Sequence, residues 1–318
     1  MAQVWIDCDA GFDDLLAIQM LARADEVSVA GLSLVAGNST LPQVIDNARA
    51  MAATFDWRFP LHAGAEKPLA QALVPPADIL GPRGMQTKGR WFGDARADLA
   101  PLSAVSALAA WLGARDRPAA ILALGPLTNL ALLFDRHPEL VPRISELVIM
   151  GGSTDRGNAT AAAEFNIHAD PEAGARVFAA GVPIKMIGLN VCRQVELVPG
   201  DILALQAVGN QRADLLADLL AGYLSIRDPQ CRSPMALYDP VAAAALLAPQ
   251  CLQWQPAHVA VELDGTLTRG MTVCEFRVPQ KAKANAQVGM AADAGAIRRR
   301  VFAALDVSID DKNSPGRK

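Results

Sequence analysis

The chain has 318 residues, 52% hydrophobic and 19% charged, and 29 Lys+Arg against 33 Asp+Glu leave a formal net charge of −4. So apolar a composition excludes a disordered chain and suffices for one large core. The slight excess of acid excludes a general basic footprint for nucleic acid or an anionic membrane. No run approaches the ~18 uninterrupted apolar residues of a membrane helix. The amino terminus, MAQVWIDCDAG, lacks the basic start and long apolar stretch of a secretory signal. Cys8, Cys192, Cys231, Cys251 and Cys274 are scattered, odd in number and form no CxxC pair. A reduced, cytoplasmic protein is expected.

Along the chain, Val4-Trp5-Ile6 is a short apolar run feeding an acidic cluster, and 12–21 follow with helical spacing. Residues 27–35 read as a second strand and 41–55 as a second helix. The stretch 75–96 is rich in Gly, Pro and charge and lacks periodicity, so it reads as a mobile surface loop. Strand-like 119–124 leads into a helix at 127–134. Leu147-Val148-Ile149-Met150 runs into a Gly151-Gly152 turn, 172–180 is helical, and 184–188 is strand-like. This alternation predicts an α/β fold with a mostly parallel open sheet, helices on both faces, Rossmann-like. Beyond 196 the pattern turns helical, at 202–208, 212–227 and 241–247, with weak strands at 258–263 and 272–276 and a closing helix at 294–305. Helical insertions in the C-terminal half follow. With no repeat and no long linker, 1–309 is expected to be a single domain and the polar 310–318 a disordered tail.

The densest chemical signal is Asp7-Cys8-Asp9-Ala10-Gly11-Phe12-Asp13-Asp14. Asp7 and Asp9 point the same way at the end of the first strand, and Asp13 and Asp14 fall in the first turn of the next helix. The helix dipole accounts for one or two such acids. Four in eight residues repel one another and raise each other's pKa unless a cation neutralises them. An all-oxygen, carboxylate-rich set suits Ca²⁺ or Mg²⁺ rather than zinc. In open α/β sheets this edge is where ligands bind.

Asp239-Pro240 reads most simply as a helix cap with Pro at the first helical position, and Asp170-Pro171-Glu172 has the same look. Residue types alone do not separate the two. Asn158, Glu164 and Asn166 follow the Gly151-Gly152 turn, and Glu164 and Asn166 share a face if extended. Such groups either hold sugar hydroxyls or simply face solvent. His62, His137, His168 and His258 show no metal spacing and neighbour no nucleophile, and His168 is read as structural, at most at a pocket edge. Trp91, within the predicted loop, anchors it or offers a flat ring to a nucleobase. There is no GxGxxG, P-loop or GxSxG.

Together the motifs resemble the nucleoside hydrolase family, the inosine–uridine-preferring nucleoside N-ribohydrolases. The carriers are Asp7 to Asp14, Val35-Ala36-Gly37-Asn38-Ser39-Thr40, Leu124-Gly125-Pro126-Leu127-Thr128-Asn129 and Met150-Gly151-Gly152. Gly157-Asn158-Ala159-Thr160, Ala163-Glu164-Phe165-Asn166-Ile167, Asp170-Pro171-Glu172-Ala173, Asp239-Pro240 and Gly270-Met271-Thr272-Val273 complete the ordered set. The resemblance implies Ca²⁺-dependent hydrolysis of the bond between ribose and base, and a role in nucleoside catabolism and purine salvage. By position, Asp9, Asp14 and Asp239 match carboxylate metal ligands, and Leu124 matches a residue whose backbone carbonyl joins them. Relatives often carry Thr there, and a carbonyl donor survives the change to Leu. Asp9 also matches the general base that deprotonates a water on the metal. Asp13 and Asn166 match groups on the 2′- and 3′-hydroxyls, Asn158 and Glu164 groups near the 5′-hydroxyl, and Asn38 a residue beside the reacting centre. Asp7 resembles a supporting acid. The expected partner is a small ribonucleoside, with no nucleic acid or membrane, and the expected assembly is a homodimer or homotetramer.

Two departures concern the leaving group. Many relatives carry His immediately before the last metal-binding Asp, where this chain has Tyr238, and His-Gly near residue 81, where it reads Leu80-Gly81-Pro82. A phenol, with a pKa of ~10, is a poorer acid than imidazole near neutrality. Tyr238, with Trp91, points to stacking on a purine. Two other readings compete: a non-catalytic ribonucleoside-binding protein, and a Mg²⁺-dependent phosphohydrolase of haloacid-dehalogenase type, which also opens on Asp-x-Asp.

Overall fold

Strand β1 (Ala2–Cys8) is buried from Val4 onward, on both of its faces. A strand so covered belongs inside a parallel sheet with helices on both sides. The computed structural model, which describes residues 1–307, builds that sheet; the predicted tail and the predicted domain end at 309 lie outside the described residues. The chain continues through α1 (Phe12–Ala22), β2 (Val27–Leu34), α2 (Leu41–Phe55), β3 (Leu61–Ala63), α3 (Ala77–Leu80) and α4 (Ala104–Gly113). Next come β4 (Ala119–Ala123), α5 (Thr128–Arg136), β5 (Ile144–Met150), α6 (Phe165–Ala169), α7 (Pro171–Ala179), β6 (Ile184–Ile187) and α8 (Leu189–Cys192). The C-terminal part adds β7 (Glu196–Leu197), α9 (Pro199–Ala207), α10 (Gln211–Ser225), β8 (Met235–Ala236) and α11 (Asp239–Leu247). It closes with β9 (Leu252–Val261), β10 (Thr272–Glu275), β11 (Ala286–Ala292) and α12 (Ala294–Ala304).

Nine strands form one sheet in the order β10-β9-β11-β6-β5-β4-β1-β2-β3. Pairing is parallel from β11 across to β3, and β9 and β10 are added antiparallel at the other edge. The stretch β3-β2-β1-β4-β5-β6 is the doubly wound order, in which the chain reverses direction across the sheet between β1 and β4. The crevice for a ligand therefore opens above the carboxyl ends of these two strands, at Asp9 and Leu124.

Period-two alternation divides the core between the faces. Val4 and Ile6 pack with α1, α2, α10, α11 and α12, whereas Trp5 packs with α4, α5 and α7. The predicted C-terminal insertion is present as α9, α10 and the small β7–β8 sheet. It is tied to α12 by a buried ion pair, Arg298 to Asp201 at 2.8 Å. Two expectations change. The weak strand predicted at 258–263 overlaps the end of a ten-residue strand, β9, which stops at Val261, and β11, which carries no strong alternation, fills the position between β6 and β9. Among the described residues no helix is long and apolar enough to cross a membrane.

Candidate active site

The floor of the crevice is acidic. Just past β1, Ala10 takes a left-handed backbone (φ 51°), and the Gly11 N–H donates to Asp14 Oδ2 at 2.7 Å. This tight turn folds the first turn of α1 back over the strand end. Asp239, the first residue of α11, arrives from the far end of the chain. Carboxylate oxygens of Asp13, Asp14 and Asp239 all lie within 4.8 Å of one another. Asp9 sits beside this trio with both oxygens engaged by Asn38, whose backbone N–H donates to Oδ2 at 2.7 Å and whose Nδ2 donates to Oδ1 at 2.9 Å. The resemblance implied Asp9, Asp14 and Asp239 with the Leu124 carbonyl. In the structure Asp13 joins Asp14 and Asp239 in the cluster, and Asp9, bonded by Asn38, is in side-chain contact with Asp14. The Leu124 carbonyl accepts from Asn166 Nδ2 at 2.6 Å.

Burial, and then the charge of Asp14, push the Asp9 and Asp13 carboxyls well above the ordinary range. Burial also raises Asp14, and Asp239 is raised by burial and by the charges of Asp13, Asp14 and Asp9. Behind them Asp7, also raised by burial to about 7, accepts from Asn129 Nδ2 at 2.8 Å. Two buried acceptors, Asp14 Oδ1 and Asp7 Oδ2, have no hydrogen-bond partner. Buried acceptor atoms without donors are costly. A hard divalent cation is the group that satisfies an all-oxygen cluster of this kind.

Above the floor lies a cavity of about 540 Å³. It is lined by Asn158, Glu164, Asn166 and His168 and, from later in the chain, by Tyr223, Ile226, Met235 and Tyr238. The mouth is formed by Val74 to Leu80 and Gly84 to Gln86, all but Val74 from the loop predicted at 75–96, which contains only the short α3. Glu164 and Asn166 do not sit on an extended segment. Glu164 caps α6, accepting from the N–H groups of Gly152 (2.8 Å), Asn166 (2.8 Å) and Ile167 (3.2 Å), and burial raises its carboxyl to about 7. Exposed Asn158 accepts from the Phe165 N–H at 2.9 Å.

The two Asp-Pro steps separate clearly. Asp170 is a cap, accepting from Ala173 N–H at 3.1 Å and from Thr128 Oγ1 at 2.6 Å. Asp239 makes no cap bond and turns into the acid cluster. Tyr238, just before it, lines the cavity, and burial pushes its phenol to about 12. Trp91 is not in the cavity wall: the Arg83 guanidinium covers its ring at 4.5 Å and Phe92 meets it edge-on. Tyr223 is a wall residue that the sequence did not single out, since a Tyr on an apolar helix face reads as core. Its hydroxyl donates to the Ala236 carbonyl at 2.7 Å. A separate cavity of about 650 Å³, among Arg23, Trp57 and Arg212 at the opposite edge of the sheet, contains none of these acids.

The model of the inosine-uridine preferring nucleoside hydrolase family matches residues 4–299. The chain belongs to this family. It is 38% identical over 286 residues to a protein of Shewanella woodyi named pyrimidine-specific ribonucleoside hydrolase RihA, covering 89% of this chain and 91% of that one. It is 36% identical over 306 residues to the non-specific ribonucleoside hydrolase RihC of Escherichia coli, covering 96% and 99%. Among solved structures, the purine-preferring ribonucleoside hydrolase from Gardnerella vaginalis superposes with a TM-score of 0.86 at 26% identity, covering 95% of this chain and 98% of that one. As a nucleoside hydrolase the protein is an enzyme, so the phosphohydrolase and the non-catalytic binder are both set aside.

Proposed function

We propose that this nucleoside hydrolase cleaves the N-glycosidic bond of ribonucleosides to free base and ribose, with Ca²⁺ at the acid cluster and Asp9 as general base. The observation that carries this reading is the convergence of Asp13 and Asp14 with Asp239, distant from them in sequence, and Asp9 alongside, at the β1–β4 crevice. The donors fit the ion: they are all oxygens, carboxylates with one backbone carbonyl, and Asp14 Oδ1 is buried without a partner. Asp9, Asp14, Asp239 and the Leu124 carbonyl would hold it. When bound, such an ion acts as a Lewis acid that makes water acidic enough to lose a proton near neutrality, and it anchors a diol.

The remaining chemistry belongs to the chain. Asp9, held in one plane by Asn38, takes the proton of the attacking water. Asp13 and Asn166 grip the 2′- and 3′-hydroxyls, and Asn158 and Glu164 face the 5′-hydroxyl. As the bond to the base lengthens, positive charge grows on the ribose, and the surrounding carboxylates stabilise it without having to reorganise. Tyr238 offers its ring to the base. The purine preference in this reading rests on Tyr238 alone, because Trp91 is under Arg83 and outside the wall. The free thiols of all five cysteines support a reducing compartment, the cytoplasm. Assembly as a homodimer or homotetramer completes the proposal and is checked by light scattering.

The test is base release from inosine, adenosine, uridine and cytidine, with chelator and with added Ca²⁺. The expected result is release that chelator abolishes and Ca²⁺ restores, faster for the purines. Release that ignores chelator overturns the metal assignment, and release faster for the pyrimidines overturns the purine preference.

A further inference from the structure

We propose that His168 donates a hydrogen bond from Nε2 to the departing base, an inference that rests on the ribonucleoside reading above. Cleavage leaves the electron pair of the C1′–N bond on the heterocycle. A donor aimed at that ring lowers the barrier where the charge develops. Tyr238 and Leu80-Gly81-Pro82 occupy the positions at which the resemblance expects histidines, so neither position supplies an imidazole N–H to the base.

Apart from its acids and amides, the wall carries three side chains with an O–H or ring N–H: Tyr223, Tyr238 and His168. The Tyr223 hydroxyl already donates to the Ala236 carbonyl. The Tyr238 ring is the group assigned to the face of the base. His168 is left. It lines the same cavity as Glu164 and Asn166 and, unlike them, is only half-buried, which leaves part of the side chain open to a ligand. Its backbone is fixed at both ends: the N–H donates to the Glu164 carbonyl at 2.8 Å, and the carbonyl accepts from Gln71 Nε2 at 2.8 Å.

The ring is oriented by Gly270, where a Cβ would come within 2.9 Å of the His168 Cα and 3.3 Å of Nδ1. Nδ1 is buried without a hydrogen-bond partner. A shut-away nitrogen is less costly as a bare lone pair than as an unsatisfied N–H, which places the ring hydrogen on Nε2. Nε2 is then the nitrogen that meets a ligand. The base leaves with the bonding pair held by the Nε2–H···N contact and takes its proton from solvent after release, while the proton of the attacking water goes to Asp9. No further reactant is needed.

Base release is measured for the parent, His168→Phe and His168→Gln on inosine, on uridine and on a nitrophenyl riboside, whose leaving group needs no assistance. Circular dichroism and melting temperature report the fold. His168→Phe is expected to lower kcat on both nucleosides about 100-fold, the usual loss for a donor to developing charge, and to change the nitrophenyl riboside by less than about threefold. His168→Gln keeps an N–H and is expected to recover about tenfold of the loss; it also carries the test should the Phe variant not fold. Equal losses on all three substrates, or none, overturn the assignment. A parent protein that releases base from no ribonucleoside overturns the functional reading and this inference together, whereas an active parent with an unaffected His168→Phe overturns this inference alone.

Discussion

Asn38 grips Asp9 at both carboxylate oxygens, with its backbone N–H 2.7 Å from Oδ2 and its Nδ2 2.9 Å from Oδ1. One residue at the end of β2 thus sets the plane of a carboxylate at the end of β1. The space beside it depends on Gly37, where a Cβ would lie 2.2 Å from Asp9 Oδ2. Asp9→Ala should abolish base release with the fold intact. Asn38→Ala keeps the backbone bond and loses the amide bond, so kcat should fall about 10- to 100-fold, the worth of one hydrogen bond to a charged group. Tyr238→Phe should slow turnover less than Asp9→Ala does. Near-normal turnover by Asp9→Ala, measured by steady-state base release, would refute the assigned base.

The acid cluster also dictates how stability responds to pH. Asp9, Asp13, Asp14 and Asp239 are all held above the ordinary carboxyl range, Asp14 at about 6 and Asp13 at about 7. An acid with a raised folded pKa binds more protons folded than unfolded. The ion-free protein therefore loses this stability as pH climbs from the unfolded value, about 4, through the folded ones. Ca²⁺ competes with those protons, so its stabilisation must grow over the same window. Melting temperatures with saturating Ca²⁺ and with EDTA should differ more at pH 7.5 than at pH 5. A difference that shrinks or stays flat as pH rises removes the cluster as the ion's site.

Features of the fold and site that depend on neighbours in the chain were legible in the sequence; those that depend on packing were not. The Asp7 to Asp14 cluster declared itself because strand alternation and the helix start together fix where each acid falls. Strands β1, β2, β4, β5 and β6 carried short, mostly apolar stretches, whereas the three-residue β3, with His62 at its centre, gave no such signal. By contrast β11 holds its place between two other strands with a weakly patterned sequence, so only its partners identify it. Asp170 and Asp239 look alike beside their prolines, and what divides them is whether an N–H or another carboxylate faces the side chain. Trp91 was placed near the base by its ring type, yet the ring had a local partner in Arg83. Tyr223 was silent because its role in the wall comes from how α10 lies over the cavity.

The attachment of the mouth to α10 is a packing feature with a direct test. At Gly222 a Cβ would come within 2.2 Å of the Gln86 carbonyl oxygen, a backbone atom that cannot swing away. The same contact region has the Lys88 N–H on Asp218 Oδ1 at 2.8 Å. Gly222→Ala should push residues 84–88 off the helix, costing about 1–3 kcal/mol as overpacking does. Because Gly84 to Gln86 line the mouth, KM should rise more than kcat falls. Unchanged KM and melting temperature would show that the loop is not fastened there.

The paired Asp-Pro steps allow a comparison in which each variant controls the other. Asp170 accepts three bonds from buried or half-buried partners: Ala173 N–H at 3.1 Å, Leu69 N–H at 2.9 Å and Thr128 Oγ1 at 2.6 Å. Asp170→Ala strands those donors and removes a helix cap, so stability should fall by about 3 kcal/mol. Asp239 has acids as its neighbours, and Asp239→Ala relieves repulsion at the start of a helix that lacks a side-chain cap. In EDTA its melting temperature should hold or rise, while base release is lost and the gain from added Ca²⁺ shrinks. Denaturant melts and base-release assays of the two variants side by side decide the matter. If Asp239→Ala instead lowers the EDTA melting temperature as far as Asp170→Ala does, Asp239 is an ordinary structural carboxylate and the ion loses its distant ligand.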